Sequence, residues 1–237
     1  MPTMFALSAV LALPADAVHV WRIPLRVSPE TLARCQSLLA SDEQARMLRF
    51  HFPADQRRYA ICRACLRSAL LNYIAAQGVA EGADKPAQLR FKYGPNGKPE
   101  LDRGIGVSPI SGVEHLHFNV SHSGDRALLA ISRTIVGIDL EQPRALDYDA
   151  VARQVLSPQD LTTLSQIAPE RKSDTFFRLW VRHEAQAKAL GAPVGTHHPE
   201  IPVYDLFLGP GIFSALATPI PHPQIQLLGD PQWTTLP

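Results

Sequence analysis

Apolar and polar positions follow two rhythms along the chain. In His117-Phe118-Asn119-Val120-Ser121 they alternate, as a half-buried strand requires. Residues 127–131 are a continuous apolar run and 135–140 are another mainly apolar run, broken by Asp139, the two separated by Ser132-Arg133-Thr134. Together these segments predict a meander of short strands. Helical spacing appears elsewhere. Ser28-Pro29-Glu30 combines an N-cap serine with proline at the first helical position, and a longer helical pattern over 55–77 stops at Gly78. Ser157-Pro158-Gln159-Asp160 opens a helix in the same way, and a second long helix over 174–190 stops at Gly191. Shorter strands are expected at 203–208 and 212–217, within a proline-rich stretch. The repeated plan predicts an α+β fold of two similar halves, residues 1–133 and 134–225, with 226–237 as a tail.

Composition narrows the function. The chain has 237 residues, 23 basic and 22 acidic, for a formal net charge of +1. There is no overall basic field of the kind that serves nucleic-acid binding. No apolar stretch is long enough to span a membrane. The apolar start, MPTMFALSAVLALPADA, has an A-x-A-like ending but no basic residue before Arg22, so it reads as mature chain rather than a leader. Cys35, Cys62 and Cys65 make no disulfide framework, and the C-x-x-C pair lies in a run that reads as buried helix. A cytoplasmic enzyme fits these features.

Several residues could carry chemistry. Asp139 and Glu141 project from one face at the end of an apolar strand, and two adjacent carboxylates call for a proton, a partner or a cation. Hard oxygen donors favour magnesium or manganese over zinc. Taken alone, the pair reads better as a solvated strand end. Glu184 lies on a helix where Trp180, Glu184 and Lys188 form one stripe. That stripe is either an ordinary Glu–Lys surface pair or a site in which Glu184 meets a metal and Lys188 a phosphate. His183-Glu184-Ala185-Gln186-Ala187 begins like a zinc-protease helix but has alanine where the second histidine ligand belongs. Ser121-His122-Ser123-Gly124, at a strand end, can present hydroxyl and imidazole groups to an anion. Gly97-Lys98-Pro99 fails as a Walker loop, although Lys98 can still meet a phosphate as a point charge. Arg46, Arg49, Arg57, Arg58, Arg63 and Arg67 are either a solvated basic face or a site for a phosphorylated ligand or an acidic protein.

Three segments in order resemble one family: Phe118-Asn119-Val120-Ser121-His122-Ser123, Val136-Gly137-Ile138-Asp139-Leu140-Glu141, and Leu179-Trp180-Val181-Arg182-His183-Glu184-Ala185 with Lys188 and Gly191. They resemble the 4′-phosphopantetheinyl transferase superfamily, in its longer, surfactin-synthetase-activating class. The loop from Tyr93-Gly94 to Lys98-Pro99 is similar to that class as well. The resemblance covers roughly residues 40 to 220 in outline. It implies a pseudo-dimer with coenzyme A in the cleft between the halves, and Mg2+ held by Asp139, Glu141 and Glu184 together with the pyrophosphate. It implies that Ser121 and His122 contact phosphates, that Lys98 and Lys188 lie near them, and that Arg58 meets the 3′-phosphate. The implied activity is transfer of phosphopantetheine to a serine of an apo acyl or peptidyl carrier protein by a monomer, without nucleic acid or membrane. Glu184 or a metal-held water takes the serine proton, and Glu184 is favoured. The chain departs from the pattern at His183, where lysine is usual, and at Gln44 and Met47, where some relatives have lysines. A degenerate binding module is the alternative.

Overall fold

A computed structural model describes residues 12–77, 85–102, 116–193 and 195–229. The first half runs β1 (Ala17–Pro24), α1 (Pro29–Ser37), α2 (Ser41–Leu48), α3 (Pro53–Ala75), β2 (Phe91–Tyr93), β3 (Pro99–Leu101), β4 (His117–Ser123) and β5 (Arg126–Ser132). The second runs β6 (Gly137–Glu141), α4 (Tyr148–Val155), α5 (Pro158–Ser165), α6 (Pro169–Leu190), β7 (Val203–Asp205), β8 (Phe213–Ala217) and β9 (Gln224–Gly229). The expected helix starts are present: Ser28 accepts from Thr31 N at 3.2 Å, and Ser157 from Asp160 N at 3.1 Å. The stop expected at Gly78 lies outside the described residues. α6 begins at Pro169, several residues before the expected start, because proline at the first position needs no donor.

Strand order repeats between the halves. In the first sheet β4, β5 and β1 lie side by side, with β5 antiparallel to both neighbours. In the second sheet β7, β8 and β6 do the same, with β8 antiparallel to both. Each half thus leads with a strand, runs through helices, and returns as a hairpin whose last strand pairs with the first. β9 breaks the symmetry. It pairs parallel with β1 at the outer edge of the first sheet, so residues 224–229 are sheet where a tail was expected from 226.

The core has layers. α1 and α3 cover one face of the first sheet, with Cys35, Leu66 and Leu70 in one cluster with Phe118, Leu129 and Ile131, and Met47 of α2 joins that cluster. The other face, with Val18, Val20, Leu128 and Ala130, meets Ile138, Leu140 and Leu216 of the second sheet. α6 covers the far side of that sheet through Val181, Ala185 and Ala189 against Ala215 and Ala217. β5 is therefore buried on both faces, which explains its unbroken apolar run. β6 approaches α6 closely: a side chain at Gly137 would begin 2.0 Å from the Ala185 carbonyl oxygen. Only glycine allows that approach.

Candidate functional site

The site forms where β4, at the edge of the first sheet, runs beside β6, at the edge of the second. An edge strand exposes unpaired N–H groups. Here β4 meets those of β6 with side chains. Asn119 Oδ1 accepts from Ile138 N at 2.9 Å, Ser121 Oγ from Leu140 N at 3.2 Å and Ser123 Oγ from Gln142 N at 3.1 Å. The ladder has a constant sequence offset of 19 and needs a short polar side chain at alternate positions of β4.

The same serines donate to the acids of β6. Ser121 Oγ donates to Asp139 Oδ1 at 2.7 Å, and Ser123 Oγ to Glu141 Oε2 at 2.8 Å. Lys188 reaches in from α6, its Nζ 2.5 Å from Asp139 Oδ1 and 3.2 Å from Ser121 Oγ. Arg144 Nη1 pairs with Glu141 Oε2 at 2.7 Å, and its guanidinium carbon lies 5.9 Å from the Trp180 ring centre. Trp180 packs against Phe176 and Phe177, so the middle of α6 is firmly seated.

Within the acid cluster polar satisfaction is incomplete at one atom. Asp139 is 4% exposed, and its Oδ2 is buried with no hydrogen-bond partner. A buried carboxylate oxygen left unpaired is costly and points to a missing ligand. Glu184, also buried, is held above the usual carboxylate range by burial first and then by the negative charges of Asp139 and Glu141, against the pull of Lys188. The three acids therefore act on one another electrically. Among the described residues no three His, Cys, Asp or Glu side chains close on a point as a finished metal cage would. The donors are all hard oxygens, one of them orphaned, and they suit a divalent cation whose remaining ligands come from elsewhere.

His122 faces away from the serine ladder, as its strand position requires. Solvent reaches it, yet partial burial of the ring is the largest cause of a lowered pKa, followed by the positive charges of Arg58 and Lys188. The imidazole is thus neutral near neutral pH. Arg58, half-buried on α3, pairs with Asp55 at 3.0 Å while its charge acts on His122.

Other expected residues lie elsewhere. Lys98 does not join the acids. Its Nζ donates to the Ala189 carbonyl at 2.5 Å, at the end of α6, where unpaired helix carbonyls attract a cation. Ser121, expected to touch a phosphate, donates to Asp139 and accepts from Leu140 N and Lys188. Arg63 and Arg67 leave the basic face, because both are buried against Glu43. Cys62 and Cys65 lie within α3, as expected of buried helix, and burial pushes the Cys62 thiol up to about 12. His183 turns from the acids and pairs with Asp160 Oδ2 at 2.6 Å, so the usual lysine position serves the α5–α6 contact. Asn119, Arg144 and Gly137 were not singled out as functional; the signal for Asn119, and for the ladder role of Ser123, is the polar alternation of β4 against the edge strand β6.

Comparison with known proteins identifies the family. Residues 135–234 match the profile of the 4′-phosphopantetheinyl transferase superfamily, and residues 25–134 match that of the 4′-phosphopantetheinyl transferase N-terminal region. The chain is 38% identical over 183 residues to 4′-phosphopantetheinyl transferase HetI of Nostoc sp., covering 76% of this chain and 71% of the relative. It is 35% identical over 159 residues to a putative 4′-phosphopantetheinyl transferase of Synechocystis sp., covering 66% of this chain and 58% of the relative. A 4′-phosphopantetheinyl transferase of Bacillus subtilis is 28% identical over 158 residues, covering 67% of this chain and 62% of the relative. The chain belongs to the 4′-phosphopantetheinyl transferase superfamily.

Proposed function

We propose that this phosphopantetheinyl transferase moves the 4′-phosphopantetheine arm of coenzyme A to a serine of an apo acyl or peptidyl carrier protein, as a holo-acyl-carrier-protein synthase does, using Mg2+ held by Asp139, Glu141 and Glu184. The observation that carries the reading is the buried, unpartnered Oδ2 of Asp139 within a set of three mutually acting carboxylates. Such a set invites a hard cation and leaves room for substrate oxygens to complete its shell. A bound Mg2+ supplies neutralisation of the charge that builds on the leaving bisphosphate.

The chain's own residues do the rest. Lys188, with about a third of its side chain exposed, offers an ammonium to the pyrophosphate beside Asp139. His122 donates an N–H to a phosphate oxygen, and Arg58 meets the 3′-phosphate on the α3 side. The carrier serine Oγ forms a bond to the phosphorus that bears pantetheine, while the bond from that phosphorus to the bridging oxygen breaks. Adenosine 3′,5′-bisphosphate leaves with the bond electrons. Glu184 takes the serine proton: it reaches the reaction from α6, whereas Asp139 and Glu141 are pinned by serine hydroxyls of β4.

The repeated strand order supports reading residues 1–133 and 134–225 as duplicated halves of a monomeric pseudo-dimer, with the site in the cleft to which β4 contributes from one half and β6 and α6 from the other. No described helix is long and apolar enough to cross a membrane, and a cytoplasmic setting supplies both substrates. The test is a mass measurement on an apo carrier incubated with the protein, coenzyme A and Mg2+. A gain of one phosphopantetheine arm, lost with Asp139→Ala, is expected. No gain on any acyl or peptidyl carrier, despite coenzyme A binding, would overturn the reading.

A further inference from the structure

The hairpin of β2 and β3 stands apart from the main sheets, yet its tip makes close polar contacts with the second half. The tip is tightly built. Gly94 N donates to the Lys98 carbonyl at 2.9 Å, Gly97 N to the Gly94 carbonyl at 2.9 Å, and Gly97 takes a φ of 78°, in the left-handed region. From this tip Asn96 Nδ2 donates to the Gly191 carbonyl at 2.8 Å. Lys98 Nζ donates to the Ala189 carbonyl at 2.5 Å and lies 3.5 Å from the Val136 carbonyl. The lysine stem lies over Gly191, its Cδ 3.3 Å from where a side chain there would begin.

These contacts fall at one place in the fold: the last turn of α6 and the residue before β6. α6 carries Glu184 and Lys188, and β6 carries Asp139 and Glu141. One ammonium therefore touches both elements that supply the acids. The carbonyls at the end of a helix have no partners within it, and a cation there also suits the helix dipole. Ala189 follows Lys188, the residue paired with Asp139. Val136 precedes Gly137, where β6 and α6 come closest.

We propose that Lys98 and Asn96 are positioning residues, a strap from the first half that holds the end of α6 against the start of β6 and so sets the spacing of the acids on the two elements. The strap rests on the reading of Asp139, Glu141 and Glu184 as the reacting site. It gives Lys98 a task other than contact with a substrate phosphate. Burial draws the Lys98 amine down to about 8 against the opposing influence of Glu100, and the amine keeps hydrogens to donate to Ala189 in either charge state.

The test reads two quantities on Lys98→Met and Asn96→Ala. The first is hydrogen exchange, without substrates, at the amides of Gly191 and Ala192, which close the last turn onto Lys188 and Ala187. The second is steady-state transfer to an apo carrier at varied coenzyme A. The strap predicts exchange faster by about tenfold at these amides and kcat lower by about tenfold, with KM for coenzyme A within about twofold of wild type. Lys98→Arg, which keeps a donor, should recover part of the protection. Asn96→Ala removes only an exposed side chain's amide and keeps the test open should Lys98→Met fail to fold. Unchanged exchange with a raised KM would overturn the strap and return Lys98 to the phosphate. Faster exchange with unchanged kcat would overturn the link between the strap and the acids. Faster exchange in the variants alongside no transfer by the wild type would locate the failure in the reading of the site instead.

Discussion

Among the described residues, a cluster of buried charge in the first half and one in the second are built in opposite ways. Around Glu43 both carboxylate oxygens are paired. One carboxylate oxygen accepts from Arg63, with Nε at 2.6 Å and Nη2 closer still, and the other accepts from Arg67 Nε at 2.5 Å and Ala40 N at 3.2 Å. Arg67 Nη1 also donates to the Pro86 and Leu89 carbonyls at 2.7 and 2.8 Å, and both guanidinium groups lie over the Phe91 ring. Around Asp139 the pairing is unfinished: one oxygen holds Ser121 and Lys188, and the other holds nothing. A closed network of this kind ties α2 to α3 and offers no valence to a ligand. An open one has a cost that a bound cation can remove. What separates scaffold from site here is the completeness of the hydrogen bonding, not the amount of charge.

Substitutions in the two clusters should therefore separate stability from turnover. The largest effect is expected for Glu43→Ala, which strands two buried arginines and should lower unfolding free energy by about 3–5 kcal/mol, measured by urea denaturation. Transfer per folded molecule should stay near wild type. Asp139→Ala should do the reverse, cutting transfer by about 10²–10³-fold with a smaller change in the denaturation midpoint. Equal stability losses in the two variants would remove the distinction. Next in size is Glu184→Gln, expected to lower kcat by about 10²-fold while coenzyme A affinity, read by calorimetry, changes far less. An equal loss of both would assign Glu184 to metal binding alone.

The smallest effect concerns His122. Its folded pKa lies below the ordinary 6.5. Between those two values the unfolded chain binds more protons than the folded one, so this residue's contribution to stability rises as pH climbs through that window. An imidazole NMR titration should find the midpoint below 6.5 in the free protein. The midpoint should rise when coenzyme A brings a phosphate near the ring. A midpoint at the ordinary value, unmoved by coenzyme A, would take His122 out of the site.

Much of this was legible in the residues. The alternation at β4 and the apolar runs at β5 and β6 place the strands, and the Trp180–Glu184–Lys188 stripe brings Glu184 and Lys188 into one electrostatic set with Asp139 and Glu141. The paired Ser-Pro helix starts show the repeat before any strand order is known. Other features depend on distant partners. β9 is mostly exposed and carries little apolar pattern, and its strand character comes from parallel pairing with β1 across the whole chain. Arg63 and Arg67 look like their exposed neighbours until Glu43 from another helix reaches them. Lys98 in a glycine turn resembles a phosphate contact because the helix end that takes its ammonium lies some ninety residues away in sequence. Asn119 reads as ordinary strand polarity and Ser121 and Ser123 as hydroxyls for an anion, and their bonds to the next sheet appear only when β6 presents an unpaired edge.

The account turns on Asp139 leaving an oxygen for a cation whose shell coenzyme A completes. Calorimetric titration of Mg2+ into the protein, with and without coenzyme A, on the wild type and Asp139→Asn, tests this most directly. Mg2+ should bind weakly to the wild type alone and much more tightly once coenzyme A is present, and Asp139→Asn should abolish that gain while coenzyme A still binds. Mg2+ binding that is indifferent to coenzyme A, or a gain that survives Asp139→Asn intact, would contradict it.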